Sequence, residues 1–229
     1  MICKVEFLQV LDVSNNQLDG QIPQCLFNFS SSLLVIAMRS NHFQGSLPET
    51  FINGCSLSTL DLNHNQIQGK IPRSLVQCQM LEVLNLRNNK LNNTFPFWLE
   101  SLPELQILVL RANGFHGPIW DPHTKFGLSN LHVIDLSNNV FSGKLPSEYF
   151  KPWNAMLMVL VKDKSKLEYM ESHSDYYKDS MTLVNKGREM EFVKILTVFT
   201  AIDLSNNRFY GEIPDSVGNL NGLIVLNLS

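Results

Sequence analysis

The residues that could perform catalysis or bind a metal ion are scattered along this 229-residue chain. Catalysis by histidine and metal binding both require partner residues at short, regular spacings. The sequence contains neither a Gly-rich phosphate-binding loop nor a Gly-x-Ser-x-Gly motif, and its histidines show no metal-ligand spacing. These histidines are His42, His64, His116, His123, His132 and His173. The sequence therefore predicts no enzyme activity, no metal site and no cofactor.

Four aspartates occupy one position of a repeated unit, one residue before its second strand leucine. They are Asp12, Asp61, Asp135 and Asp203. Paired carboxylates can serve as a general acid and a general base. These four belong to different repeats and recur with the motif, so we interpret them as structural or solvent-facing residues.

Composition and charge exclude several other classes of protein. The formal net charge is −3 and the isoelectric point about 6.1, which does not favour binding to nucleic acid. The longest apolar run, residues 155–161, is far shorter than the roughly 20 residues of a membrane-spanning helix. Lys4 and Glu6 lie where the apolar part of a signal peptide would be, so no signal peptide is expected either.

The elements that would position any functional residue come from a repeat of about 24 residues. Its pattern is Leu-x-x-Leu-x-Leu-x-x-Asn-x-Leu-x-Gly-x-Ile-Pro, and it explains why the chain has 34 leucines and 23 asparagines. The third repeat shows every position: Leu57, Leu60, Leu62, Asn65, Ile67, Gly69, Ile71 and Pro72. The fourth repeat has Asn93 where Gly is due, and the fifth has Trp120 where Pro is due.

The spacing of the repeat predicts a solenoid of short parallel strands. The alternating pair Leu60 and Leu62 points to one side of a strand, and the next strand follows about 24 residues later. The asparagine that recurs in each repeat falls where the strand ends and the chain bends inward. An inward amide can both donate to and accept from backbone groups that water cannot reach. This predicted ladder comprises Asn16, Asn41, Asn65, Asn89, Asn113, Asn139 and Asn207.

The repeats are interrupted once, between the sixth and the seventh. We therefore divide the chain into about six repeats over residues 1–153, an island over 154–196, and one full and one truncated repeat over 197–229. From Lys151 to Lys194, 15 of 44 residues are charged, which is a clear shift in composition. Alternating apolar and polar residues around Asn-Lys-Gly predict a hairpin at 181–193. The alternative is a disordered insertion.

The side chains that flank the inward leucines are expected to line the inner, concave face. One column reads Ser14, Arg39, Asn63, Arg87, Arg111, Ser137, Ser205, and the next reads Asn15, Ser40, His64, Asn88, Ala112, Asn138, Asn206. Arg87 and Arg111 fall on neighbouring strands, about 5 Å apart. A basic stripe of this kind could bind an acidic ligand or the terminal carboxylate of a peptide. The alternative is a solvated ladder whose charge is balanced by nearby Glu or Asp.

The repeat resembles the plant-specific class of leucine-rich repeat, over residues 3–150 and 197–229. The island, with Lys186-Gly187 and the run 194–207, is similar to that of plant extracellular receptor-like proteins of the Cf fungal-resistance type, and so is the run Asn93–Pro103. The resemblance implies an α/β solenoid: a horseshoe with parallel strands on its concave face, few short helices and one island. It also implies that this chain is a piece of an ectodomain or a truncated gene product, because the family has about four further repeats, a membrane span and a short tail after the island.

The resemblance implies recognition of a peptide or protein ligand outside the plasma membrane, with signalling through co-receptor and adaptor receptor kinases. Candidate contacts are Arg39, Asn63, His64, Arg87 and Arg111, with Tyr169, Tyr176 and Tyr177 of the island. Pathogen perception and defence is the favoured role. A soluble inhibitor of the polygalacturonase-inhibiting type, which lacks an island, and a developmental peptide receptor are the alternatives.

Two kinds of covalent modification are expected in an extracellular protein. Cys55 and Cys78 lie at nearly the same phase of adjacent repeats, and Cys3 and Cys25 are also one repeat apart, so both pairs are disulfide candidates. The alternative is four buried thiols. Three Asn-x-Ser/Thr triplets begin at Asn28, Asn92 and Asn227, and the resemblance implies that they are glycosylation sites.

Overall fold

A computed structural model describes residues 2–5, 7–28, 32–119, 128–145, 147–151, 153–157, 181–185, 188–192 and 198–229. Of residues 3, 28, 147, 149, 181–185 and 188–192 it describes the backbone alone. In these ranges the strands are β1 (Val10–Asp12), β2 (Asp19–Gln21), β3 (Val35–Ala37), β4 (His42–Ser46), β5 (Thr59–Asp61), β6 (Gln66–Gly69), β7 (Val83–Asn85), β8 (Lys90–Leu91), β9 (Ile107–Val109), β10 (His116–Gly117), β11 (Val133–Asp135), β12 (Val140–Gly143), β13 (Met181–Asn185), β14 (Arg188–Phe192), β15 (Ala201–Asp203), β16 (Arg208–Phe209) and β17 (Val225–Asn227).

The first strand of every repeat joins one parallel sheet, in the order β1-β3-β5-β7-β9-β11-β15-β17. Neighbouring strands are one repeat apart and in register: Leu60 lies beside Leu84, and Leu84 beside Leu108. Each repeat is thus one coil, numbered one to eight along the chain. This architecture confirms the predicted α/β solenoid.

The return paths of coils one to seven contain a second set of strands, which the sequence did not reveal. They form two parallel sheets on the flank of the solenoid, β2-β4-β6-β8 and β10-β12-β16. Beyond them lie short helices, each of three to five residues. The α-helices are Cys25–Asn28, Ser147–Phe150 and Asn154–Leu157, and the 3₁₀ helices are Ile2–Lys4, Arg73–Gln77, Phe97–Ser101 and Asp215–Asn219.

A continuous main core, rich in Leu, Ile and Phe side chains, runs through the coils. Leu60, Leu62, Leu84 and Leu86 are fully buried in it, as the alternating pattern predicts. At about 25 cal/mol per Å², burial of each such side chain contributes roughly 1.5–3 kcal/mol. Since a single coil cannot bury its own leucines, each coil is stabilised by the neighbours on which it stacks.

The interruption does not break the main sheet. Strand β11 of coil six pairs directly with β15 of coil seven, so that Ile134 lies beside Ile202. The chain leaves coil six through Trp153 and Met156, which are both buried in the core. The carbonyl of Met156 accepts a hydrogen bond from the amide of Gly222 at 2.8 Å, which ties the start of the island to the segment that leads into coil eight.

The hairpin expected at 181–193 corresponds to β13 and β14, which are antiparallel with Asn185 opposite Arg188. Its turn and Val193 lie outside the described residues. Tyr169, Tyr176 and Tyr177 also lie outside them, so their proposed role in ligand binding stays a prediction.

Candidate ligand-binding face

The amide ladder fixes the end of every inner strand. Asn65 is only 8% exposed. Its Nδ2 donates to the carbonyls of Met38 (2.9 Å), Leu62 (3.1 Å) and Asn63 (3.2 Å), and its Oδ1 accepts from the amide of Phe43 (3.0 Å). This amide therefore joins coil three to coil two. The same pattern occurs at Asn41, Asn89, Asn113, Asn139 and Asn207.

Asn16 begins the ladder and differs from the rest. It is exposed, and its Nδ2 donates only within its own coil, to the carbonyls of Val13 and Ser14. Both donor and acceptor atoms are used at the inner positions, which explains why Asn is required there: aspartate would offer no donor to the carbonyls.

Most of the inner strands are buried on both of their faces. All three residues of strands β3, β5, β7, β9, β11 and β15 are buried, whereas β1 and β17 at the two ends are partly exposed. On the inner side Val83, Ile107, Val109, Val133 and Ala201 form their own apolar cluster, with Phe199 and Val225 packed against it. In coils two to seven the inner-facing strand residues are therefore buried, and the candidate contacts lie beyond the strand ends. The apolar residues directly before the first member of the alternating pair, such as Val83, Ile107 and Val133, were the signal for this burial.

Arg111 on the inner face is paired with carboxylates. Its Nη1 lies 3.8 Å from Oδ2 of both Asp135 and Asp203, and it donates to Oγ of Ser137 at 2.6 Å. Removal from water raises the pKa of Asp135 to about 6; the Asp203 charge adds to the rise, while the Ser137 hydroxyl and Arg111 oppose it. One guanidinium thus faces two buried carboxylates. The positive charge of Arg111 is therefore balanced by nearby Asp, as in the alternative that the sequence left open. The balancing groups are buried, however, and not solvated.

The four repeated aspartates share a local structural role. Asp135 and Asp203 each accept from the amide and the hydroxyl of the serine two residues on, Ser137 or Ser205. Asp12 and Asp61 accept in the same way from the amides of Ser14 and Asn63. These bonds hold the chain as it leaves the strand.

The remaining arginine and amide candidates differ in exposure. Arg87 is 4% exposed, while Arg39 and Asn63 are half-buried, and the Asn63 Nδ2 donates to Asp61 at 2.6 Å. An exposed basic stripe through Arg39, Arg87 and Arg111 is therefore not present, because Arg87 is buried and Arg111 is ion-paired. Ligand binding by these residues stays a prediction, with Arg39 and Asn63 the more accessible.

The second predicted column has a backbone feature that the sequence analysis missed. Its members all have φ between 51° and 56°, in the left-handed region. They are Asn15, Ser40, His64, Asn88, Ala112, Asn138 and Asn206. Asparagine is the residue other than glycine that tolerates this conformation best, so the repeated Asn-Asn pairs were the available signal. His64 is exposed, and its ring lies 3.1 Å from Nδ2 of Asn88.

The structure contains a disulfide between Cys55 and Cys78, whose Cα atoms are 4.6 Å apart. Cys25 is also disulfide-bonded. The side chain of Cys3 lies outside the described residues, so the pairing of Cys3 with Cys25 stays a prediction.

The glycosylation candidates lie in different settings. Asn92 is exposed at the end of β8. Asn227 is half-buried on β17, where its amide is bonded to Asp203 and Ser229. The side chain of Asn28 lies outside the described residues.

The described residues contain no cluster of three or more His, Cys, Asp or Glu that could hold a metal ion. No helix in this part of the chain is long and apolar enough to cross a bilayer.

Comparison with known proteins identifies close similarity to one class. A leucine-rich-repeat family model matches residues 55–115, and a second model of the same description matches 7–29, 130–151 and 199–220. Receptor-like protein 53 of Arabidopsis thaliana is 50% identical over 228 residues, which are 99% of this chain and 23% of that protein. Receptor-like protein 6 of the same plant is 54% identical over 221 residues, 96% of this chain and 22% of that protein. The chain thus spans about a quarter of the length of the curated relatives it matches.

Solved structures agree with this similarity. The PEPR1–AtPEP1 complex has a TM-score of 0.73 and 26% identity, over 99% of this chain and 25% of that one. The ectodomain of the Arabidopsis thaliana receptor kinase GASSHO1/SCHENGEN3, in complex with CASPARIAN STRIP INTEGRITY FACTOR 2, has a TM-score of 0.64 and 28% identity, over 99% of this chain and 25% of that one.

Proposed function

The chain belongs to the leucine-rich-repeat receptor-like proteins of plants, and from that premise we propose that it is part of the ligand-recognition ectodomain of a cell-surface receptor. The observation that carries the proposal is 50% identity to a receptor-like protein over 99% of the chain. The chain would lie on the extracellular face of the plasma membrane, perceive a pathogen-derived or endogenous peptide or protein, and signal through partner kinases.

The burial pattern separates residues that maintain the fold from residues that are accessible to a ligand. Buried positions such as Arg87 and Asp135 maintain the fold, so they are poor places for a ligand contact. The exposed ends of the inner strands, with His64 and the half-buried Arg39 and Asn63, can meet a large ligand without disturbing the core. We place the ligand contact along this edge.

The PEPR1–AtPEP1 and GASSHO1 complexes support a ligand of peptide or protein class, since each pairs a similar ectodomain with a separate molecule. We further propose a role in defence and not in development, and the origin of the ligand decides between the two. Co-receptor and adaptor kinases are proposed as partners on the family relationship alone.

The test uses plants in which the gene encoding this chain is disrupted. Leaves are exposed to a panel of fungal, oomycete and bacterial culture filtrates and of synthetic secreted plant peptides, and the oxidative burst is measured. Loss of the response to one microbial filtrate, restored by the wild-type gene, supports the proposal. If only the response to a plant peptide is lost, the receptor acts in development. If the oxidative burst is unchanged for every member of the panel, the proposal is contradicted.

Two exposed histidines provide a matched pair for locating the contact. His64→Ala changes the inner edge, whereas His42→Ala changes the flank strand β4. The proposal expects the first variant to restore the response poorly and the second to restore it fully. Inhibition of a fungal polygalacturonase by the purified chain would instead support the inhibitor alternative.

A further inference from the structure

The flank of the solenoid carries a cavity of about 600 Å³ that spans coils two to five. Its floor is apolar and includes the buried Ile71 and Phe95. Its rim includes Lys70, Arg73 and Trp98. It lies on the return path of the coils and uses none of the inner-face candidates.

The cavity exists because coil four departs from the repeat. Gly69 and Gly117 in the adjacent coils turn with φ of 82° and 77°, but Asn93 replaces that glycine and does not adopt a positive φ. The flank sheet ends at β8, and the chain then makes a single bridge, from Thr94 to His116. Pro96 follows with ψ of 74°, where Pro72 of coil three has 136°. The flank opens at this point.

The aromatic side of the cavity is held in place by packing. The ring of Phe97 meets that of the buried Phe95 edge-on, with centroids 5.3 Å apart. Phe97 and Trp98 are themselves half-buried, so part of each ring remains available at the cavity. Fixed aromatic rings offer apolar area to a ligand at little cost in conformational entropy.

The other side of the cavity is cationic. Lys70 and Arg73 are both exposed, and neither has an ion-pair partner among the described residues. Glu49 is the one acidic residue of the lining, so the cavity carries a net positive charge. Ser74 fixes this end, because its Oγ accepts from the amide of Phe51 (3.2 Å) and donates to the carbonyl of Glu49 (2.7 Å). A planar guanidinium beside an ammonium group favours a carboxylate.

The backbone around the cavity is already bonded from coil to coil. The amide of Asn92 donates to Gly69 (2.8 Å), that of Gly114 to Leu91 (2.7 Å), and that of His116 to Asn93 (2.9 Å). A peptide could therefore not add to this flank as an extra strand, which is the usual way in which an extended main chain is bound. Recognition here must come from side chains.

We propose that this flank cavity binds a carboxylated oligosaccharide, with a sugar ring on the Phe97 and Trp98 side and a carboxylate at Lys70 and Arg73. The volume is in the range of small-ligand sites. This site goes beyond the proposed receptor role, and a direct binding measurement tests it independently of any signalling response.

The test titrates the secreted full chain with trigalacturonate at low salt, by calorimetry and by tryptophan fluorescence. Maltotriose, a neutral trisaccharide, and triglutamate, an acidic peptide, are the comparison probes. Arg73→Glu is compared with Arg208→Glu, because Arg208 is also an exposed flank arginine but does not line the cavity. Lys70→Glu provides a second variant of the same site.

We expect trigalacturonate to bind at least about tenfold more tightly than either comparison probe, since a charge-assisted contact is worth about that factor. Arg73→Glu and Lys70→Glu should each weaken binding by about tenfold or more, and Arg208→Glu by no more than about twofold. No binding, equal binding of maltotriose, or equal losses in the Arg73 and Arg208 variants would overturn the proposal. Preference for triglutamate would overturn it in favour of an acidic peptide.

Discussion

Replacement of Asn65 by alanine tests the ladder on which the solenoid depends. The Asn65 amide offers two N–H groups and one oxygen to backbone atoms of coils two and three. In Asn65→Ala these partners lose their bonds at a site that is only 8% exposed. Water can reach such a site only if the coils separate.

The size of the effect follows from the number of bonds that are lost. Leaving a buried donor or acceptor without a partner costs about 1–3 kcal/mol. Only the amide of Phe43 is left in this way, because the carbonyls of Met38, Leu62 and Asn63 each keep another donor. The three weakened carbonyls add about 0.5–1 kcal/mol each, so the total is roughly 3–6 kcal/mol, a substantial part of the roughly 5–15 kcal/mol by which a domain is stable. In Asn16→Ala the partners are exposed to water, so we expect a loss of only about 0.5–1 kcal/mol.

Urea unfolding of the wild type and both variants, followed by far-UV circular dichroism, measures the two losses. The m-values must agree among the three proteins, because a repeat protein can unfold in parts and a changed slope would invalidate the comparison. If the free energies of unfolding of Asn65→Ala and Asn16→Ala differ by less than about 1 kcal/mol, the ladder does not join the coils as argued.

Four further predictions concern other parts of the solenoid. Cys78→Ser should lower the free energy of unfolding by about 3 kcal/mol in the urea assay, since the disulfide closes a loop with a separation of 23 residues. An unchanged free energy of unfolding after reduction of the wild type would contradict this. The folded-state pKa of Asp135 is raised to about 6, so the native state binds the proton more tightly than the unfolded state does. The free energy of unfolding of the wild type should therefore fall by up to about 3 kcal/mol as the pH rises from about 4 to about 6. Asp135→Asn should remove this pH dependence, and an unchanged pH dependence would refute the assignment to Asp135. In the secreted protein, peptide mass mapping should find a glycan on Asn92 and none on Asn227. The side chain of Asn92 is exposed, whereas that of Asn227 is half-buried and bonded to Asp203 and Ser229. A glycan on Asn227 would show that these bonds do not persist. Arg87→Glu should lower the melting temperature because it reverses a buried charge, and a stable variant that loses only ligand binding would restore Arg87 as a contact residue.

The repeat itself could be predicted from the sequence because its physics is local. The alternation of Leu60 and Leu62 determines which side of the strand is buried, and the spacing of about 24 residues determines which strands are neighbours. The position of the island follows for the same reason, since Ile134 and Ile202 hold the same place in the motif and are paired in the sheet.

Features that depend on neighbouring coils could not be read in the same way. Alternation shows that Val133 points away from the core but not whether water reaches it, and Val133 is fully buried. The two flank sheets have strands of two to five residues, too short to produce a periodic signal. Phe199 holds the first apolar position of its repeat, yet it packs against the inner-face cluster instead of the main core.

The constraints on the coil also limit where a binding surface can arise. Ladder positions must be Asn, the inner-strand residues that precede them are buried in coils two to seven, and the left-handed column admits few residue types without strain. Little freedom is left within a regular coil, so specificity must come from half-exposed positions such as Arg39 and from departures from the repeat. Asn93 is such a departure: loss of one left-handed glycine ends a flank sheet and opens a cavity between cations and aromatic rings. In a solenoid of this kind, the residues that break the motif are therefore better guides to a ligand site than the residues that keep it.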